Sequence, residues 1–151
     1  MDKRKELMSM EISAELSPAN TEIEIICKGL TRFNQEACSE DKHSKTSIDL
    51  AVFVRSEEGE VIGGLTASCS CGNLRLEEMW LPEHARGNGI GKRVLTKAEQ
   101  LAVENGCVQS VVSTTSFQAR PFYEANGYQL VGTIDDLPVG HATFFLVKRL
   151  D

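Results

Sequence analysis

The order of patterned segments in this 151-residue chain predicts a mixed α/β fold, with helices packed on one central sheet. Three observations carry that expectation. Short runs of β-branched and alternating residues recur along the chain. A glycine-rich turn, Arg86-Gly87-Asn88-Gly89-Ile90-Gly91, joins an apolar run, Met79-Trp80-Leu81, to a strongly helical one. Two helical stretches then end at Asn105-Gly106 and Asn126-Gly127, the usual left-handed stop.

In order, residues 1–18 have no sustained period and end at Ser17-Pro18, which reads as a poorly ordered arm or a short helix. Residues 19–151 then form the domain. Residues 21–27 set Glu22 and Glu24 against Ile23 and Ile25 and read as a first strand. A short helix with Thr31 as its N-cap is expected over 31–38, followed by a polar loop to 47. Strands over 48–55 and 61–70 flank the hairpin signal Glu57-Glu58-Gly59-Glu60, and Gly72-Asn73 turns into a strand over 74–81. In the helix over 92–104, Val94, Leu95, Ala98, Leu101 and Ala102 make one apolar stripe. A buried strand (108–114), a helix (117–125) and two last strands (128–134, 143–148) complete the chain.

Composition bounds the function. The apolar fraction of 41% and the charged fraction of 25% are ordinary for a globular protein. No apolar run approaches the roughly 18 residues of a membrane span, and none follows the basic start as in a signal peptide, so a cytoplasmic location is expected. A net charge of −6 without a dense basic cluster beyond the first five residues argues against nucleic acid and is compatible with a cationic small substrate. Five cysteines lack the paired C-x₂-C spacing of a zinc site, so reduced, mostly buried thiols and no metal are expected.

A glycine-rich turn that opens a helix leaves backbone N–H groups unpaired at the positive end of the helix dipole, an arrangement that receives phosphate or pyrophosphate. The Walker A spacing fails, because Arg86 stands where its first glycine belongs and Arg93 follows Lys92. The dinucleotide fingerprint also fails, because the third glycine comes one residue early. The pattern R/Q-x-x-G-x-G/A is satisfied by Arg86, Gly89 and Gly91.

With those residues, and with Ala119-Arg120-Pro121-Phe122-Tyr123-Glu124-Ala125-Asn126-Gly127-Tyr128 downstream, the chain resembles the GNAT superfamily of acyl-CoA-dependent N-acyltransferases over residues 21–150. The stretch from Phe117 to His141 is similar to a subgroup of small bacterial-type acetyltransferases. The resemblance implies a central, mostly antiparallel sheet of about seven strands flanked by helices. It implies acetyl transfer from acetyl-CoA to a primary amine by direct attack, through a tetrahedral intermediate. A small-molecule amine is the leading acceptor. Acetylation of protein lysines or N-termini, or a CoA-binding sensor without turnover, are the other readings. A homodimer paired through the C-terminal strands is compatible with it.

Residue by residue, the resemblance assigns the pyrophosphate cradle to the N–H groups of Gly87, Asn88, Gly89, Ile90 and Gly91, with charge from Arg86, Lys92 or Arg93. Arg86 has a structural alternative at the loop entry. Met79, Trp80 and Leu81 would offer backbone groups freed by a splay or bulge, although a large aromatic at a strand end, such as Trp80, is more often core or pocket wall than a specific contact. Ser116 stands where the family often has an Asn on the cofactor. A protonated amine must lose a proton before it can attack. Glu78 or Glu77 would be the base, and strand alternation sends the two to opposite faces unless a bulge intervenes. Tyr123 matches the family's general acid toward the departing thiolate. His141 borders the acceptor side, with Phe33 and Asn34 as further candidates for the pocket, and His84 is a solvated loop residue.

Overall fold

The computed structural model describes residues 11–37 and 47–150, and the chain forms two compact units, Met1–Ser39 and Glu40–Asp151. Residues 1–10 of the expected arm and most of the expected polar loop (38–46) lie outside the described residues.

In the first unit, residues 11–19 are irregular and lead into helix α1 (Asn20–Ala37). The strand expected over 21–27 is therefore wrong. The apolar residues Ile23, Ile26, Cys27, Leu30 and Phe33 recur at helical spacing, and the Glu/Ile alternation is only a fragment of that longer period. Ion pairs at i,i+4, Lys28–Glu24 at 3.0 Å and Arg32–Glu36 at 2.9 Å, suit a helix. Thr31 does not cap: its hydroxyl bonds back to the Cys27 carbonyl at 2.9 Å inside the helix.

The second unit is a six-stranded sheet in the order β1-β2-β3-β4-β6-β5, built from β1 (Ile48–Arg55), β2 (Val61–Ser70), β3 (Asn73–Trp80), β4 (Gln109–Thr115), β5 (Gln129–Asp135) and β6 (Ala142–Arg149). The mixed α/β class stands, with six strands among the described residues where about seven were expected. Every neighbouring pair is antiparallel except β3/β4. Helix α2 (Ile90–Glu104) buries Val94, Leu95, Ala98 and Ala102 against Leu65, Ala67, Leu74 and Leu76 of β2 and β3. It ends at Asn105, whose side-chain amide donates to the Leu101 carbonyl at 2.7 Å, and Gly106 follows at φ +82. Helix α3 (Arg120–Ala125) starts three residues later than expected. Pro121 sits in its first turn, where its missing N–H costs nothing.

Two polar features lie within this core. Cys69 and Cys107 are both buried, and burial, with the hydrogen-bonded Cys107 beside it, pushes the Cys69 thiol up to about 12. These are inert reduced thiols, whereas Cys71 is exposed in the β2–β3 turn at φ +51. The Tyr128 hydroxyl lies 2.8 Å from Ser110 Oγ and 3.0 Å from Glu99 Oε1. With one proton to give, it donates to the carboxylate and accepts from the serine. Lys148 closes the chain on Glu99 at 2.7 Å, which ties α2, β4 and β6 together.

Candidate active site

The parallel contact between β3 and β4 lasts only three residues, Asn73↔Gln109 to Arg75↔Val111. Beyond Arg75 and Val111 the two strands no longer pair. The sheet splits, and the edges that face the split lose their ladder partners. A cavity of about 740 Å³ occupies the opening. β3 contributes Glu77, Glu78, Met79 and Trp80 with the following Leu81; β4 contributes Ser113 and Thr114.

The two carboxylates reach the cavity through a bulge. β2 and β3 pair Thr66 with Glu78 but Ala67 with Leu76, so Glu77 is the extra residue. Leu65, Ala67 and Cys69 of β2 are buried on the α2 side. Thr66 and Ser68 point the other way. Glu78 lies opposite Thr66, and Glu77 Oε1 accepts the Ser68 hydroxyl at 3.0 Å. The bulge therefore places Glu77, Glu78 and Trp80 on one face, where regular alternation would have separated the two acids. The Glu78 amide donates to Thr66 Oγ1 at 3.3 Å, and among the described residues no cation pairs with either carboxylate.

The glycine loop forms the next wall. Pro82 leads into a 3-10 turn (Glu83–Ala85) carrying the exposed His84, and Arg86 Nε donates to the Leu81 carbonyl at 2.9 Å. Arg86 thus braces the loop entry while also lining the cavity. Gly87 and Gly89 take φ of +77 and +76, which only glycine adopts freely. Gly89 is the N-cap of α2 and no side chain caps the helix, so its first N–H groups are left for a ligand. Gly91 has a different reason to be glycine: a Cβ there would sit 3.2 Å from the Phe122 ring and 3.4 Å from Met79. Gly87, Gly89, Gly91 and Lys92 line the cavity. Asn88 and Ile90 belong to the same turn without lining it, and Ile90 packs on the core.

Tyr123 of α3 closes the site from the other side. It is buried, with Phe122 and Tyr128 edge-on at 5.2 and 5.6 Å, and burial raises its hydroxyl above the ordinary 10.0. That hydroxyl stays protonated at neutral pH and has no hydrogen-bond partner among the described residues.

Ser116 and His141 do not line the cavity but meet each other, Ser116 Oγ lying 3.2 Å from His141 Nδ1. Phe33 and Asn34 lie on α1, in the first unit. The sequence reading missed Ser113, Thr114, Phe117, Gln118, Phe122 and Asn126, all of which line the cavity. Gln118 also clamps the end of β4, its Oε1 accepting from the Thr115 amide at 2.9 Å. One signal pointed to this segment: ligands gather at the carboxyl ends of parallel strands, and β4 is the parallel neighbour of β3.

A split sheet with a glycine-lined helix N-terminus on one side and a buried tyrosine on the other fits an acyl-CoA-dependent acyltransferase. Residues 49–130 match the family model described as "Acetyltransferase (GNAT) domain". The chain is 40% identical over 101 residues to the blasticidin-S acetyltransferase of Streptomyces morookaense, covering 66% of this chain and 74% of that one. A crystal structure of an acetyltransferase from Bacillus cereus ATCC 14579 superposes with a TM-score of 0.81 at 29% identity, over 91% of this chain and 97% of that one. A candidate streptothricin acetyltransferase from Bacillus anthracis str. Ames, in complex with acetyl coenzyme A, shares the fold with a TM-score of 0.61 at 20% identity, over 72% and 65% of the two chains. The chain belongs to the GNAT family and is an acetyl-CoA-dependent acetyltransferase. Its own residues fit that cosubstrate: uncapped N–H groups for the pyrophosphate, two left-handed glycines, and a cleft leading to unpaired strand edges. Among the described residues no helix is long and apolar enough to cross a membrane.

Proposed function

We propose that this acetyltransferase transfers the acetyl group to a primary amine of a small cationic molecule, with Glu78 as general base and Tyr123 as general acid. The observation that carries the reading is the bulge, which sets two carboxylates without cationic partners beside Trp80 on one face of the split sheet. An ammonium group entering there meets opposite charge on an acid chain. The name of the Streptomyces relative, a blasticidin-S acetyltransferase, supports a small-molecule acceptor.

The bound cosubstrate supplies an activated acetyl thioester. The Gly87–Gly91 turn, with Lys92, holds its phosphates, and the unpaired edge of β3 around Met79–Leu81 offers hydrogen-bond donors to the thioester oxygen. Fixed donors of this kind lower a barrier by about 3–4 kcal/mol. Glu78, directly or through one water, takes the ammonium proton and frees the lone pair that attacks. Glu77 is occupied by Ser68 and contributes negative charge. Tyr123 gives its proton to the departing sulfur and regains one from the acylated nitrogen, which sheds its second proton as the amide forms.

The test is a screen of primary amines with acetyl-CoA, following release of free thiol, with lysine peptides in parallel. Small amines are expected to turn over. Turnover of peptides alone would overturn the small-molecule reading. On an accepted amine, Glu78→Gln should lower kcat/KM about 100-fold at pH 7. Activity should recover as pH climbs toward the amine's own pKa near 10.4, where no base is needed. An unchanged profile would remove Glu78 from the mechanism.

A further inference from the structure

Each of the two diverging strands ends in an exposed aromatic that lines the cavity: Trp80 terminates β3 and is 60% exposed, and Phe117 follows β4 and is 62% exposed. Rings left this open to water at the mouth of a cleft are surfaces for a ligand to cover. Trp80 is held by strand pairing with Gly64. Phe117 lies in the turn between β4 and α3 and needs another support.

That support comes from the β5–β6 loop. The His141 ring meets the Phe117 ring edge-on, with centroids 4.8 Å apart and planes at 80°. Ser116 Oγ lies 3.2 Å from His141 Nδ1 and accepts the Ala142 amide at 3.4 Å. The Ser116 amide donates to the Ala142 carbonyl at 2.8 Å. With one lone pair occupied by Ala142, the serine hydroxyl is free to direct its proton to Nδ1, which satisfies both groups. The loop itself is braced: the Gly140 amide donates to Asp136 Oδ1 at 3.1 Å, the His141 amide to the Pro138 carbonyl at 2.9 Å, and the Thr143 hydroxyl to the Leu137 carbonyl.

We propose that Ser116 and His141 form a positioning pair that fixes Phe117 as the second aromatic jaw of the acceptor mouth, opposite Trp80. This rests on the amine-acceptor reading. His141 acts through Phe117, and the Ser116 hydroxyl serves the loop in place of the cofactor. Holding a ring in its bound position before substrate arrives removes an ordering cost that would otherwise fall on binding.

The experiment has two arms. In protein carrying 4-fluorophenylalanine, the Phe117 fluorine resonance, identified with Phe117→Leu, is expected to move in His141→Ala and in Ser116→Ala without any ligand. In steady-state kinetics with an accepted amine, His141→Ala should raise the amine KM about three- to tenfold, leaving kcat and the acetyl-CoA KM within about twofold. His141→Phe, which restores a ring edge, should recover most of that loss. A stationary resonance overturns the proposal, as does a rise in the acetyl-CoA KM with the amine KM unchanged. If no amine is acetylated, the amine reading fails on its own, and the fluorine resonance still decides whether the pair holds Phe117.

Discussion

Tyr123 joins a family motif to a physical requirement. A phenol that is to give up a proton at neutral pH must carry that proton to begin with, and burial among rings keeps it in place by raising its pKa above 10.0. Tyr123→Phe is expected to lower kcat about 100-fold, with the acetyl-CoA KM little changed. Because the shift is upward, loss of this acid cannot produce a descending limb with its midpoint at or below pH 10. A limb with its midpoint below pH 10 that vanished in the variant would contradict the assignment. The acids illustrate the reverse dependence. Nothing in the residue types separates Glu77 from Glu78, and the hydrogen bond from Ser68 is what distinguishes them.

At the scale of elements, the glycine loop and α2 were legible because their signals are local: left-handed glycines, an uncapped start, a 3.6-residue stripe and an Asn-Gly stop. The segment over 21–27 was misread because a strand period sampled over seven residues can be cut from a longer helical one. Gly63 and Gly64 lie inside β2, where their role is close packing. A Cβ at Gly63 would lie 2.8 Å from the Trp80 carbonyl oxygen, and one at Gly64 would run into the Val52 carbonyl. Gly64 also takes φ +151. Gly64→Ala should therefore destabilise the fold by about 3 kcal/mol or more, read as a lower denaturant midpoint. Gly132→Ala, where a methyl meets nothing within 4 Å, should stay within about 0.5 kcal/mol and serves as the control. Equal midpoints would show that the strands around Gly64 can spread.

For the molecule as a whole, ligand linkage gives a direct check on the cosubstrate cradle. Acetyl-CoA at 100 times its Kd should stabilise the native protein by about 2.7 kcal/mol. In a chain of this size that corresponds to a Tm rise of about 5–10 °C. Gly89→Ala, which forces a side chain into the left-handed region at φ +76, should shrink the rise by disturbing the first turn of α2. A full shift in that variant would move the phosphates away from this turn.

The amino-acid sequence by itself determined the fold class, the glycine turn that opens α2 and the helix carrying Tyr123, because turn chemistry and periodicity act between near neighbours, and the kind of group transferred followed from the family resemblance that its two motifs carry. Only the tertiary structure decided that β3 and β4 part after three residue pairs, that the bulge at Glu77 brings both carboxylates to one face, and that Ser116 meets His141, 25 positions away. Where a strand pair parts, where a bulge falls and which distant loops meet depend on how the whole sheet packs, and no pattern between near neighbours encodes them.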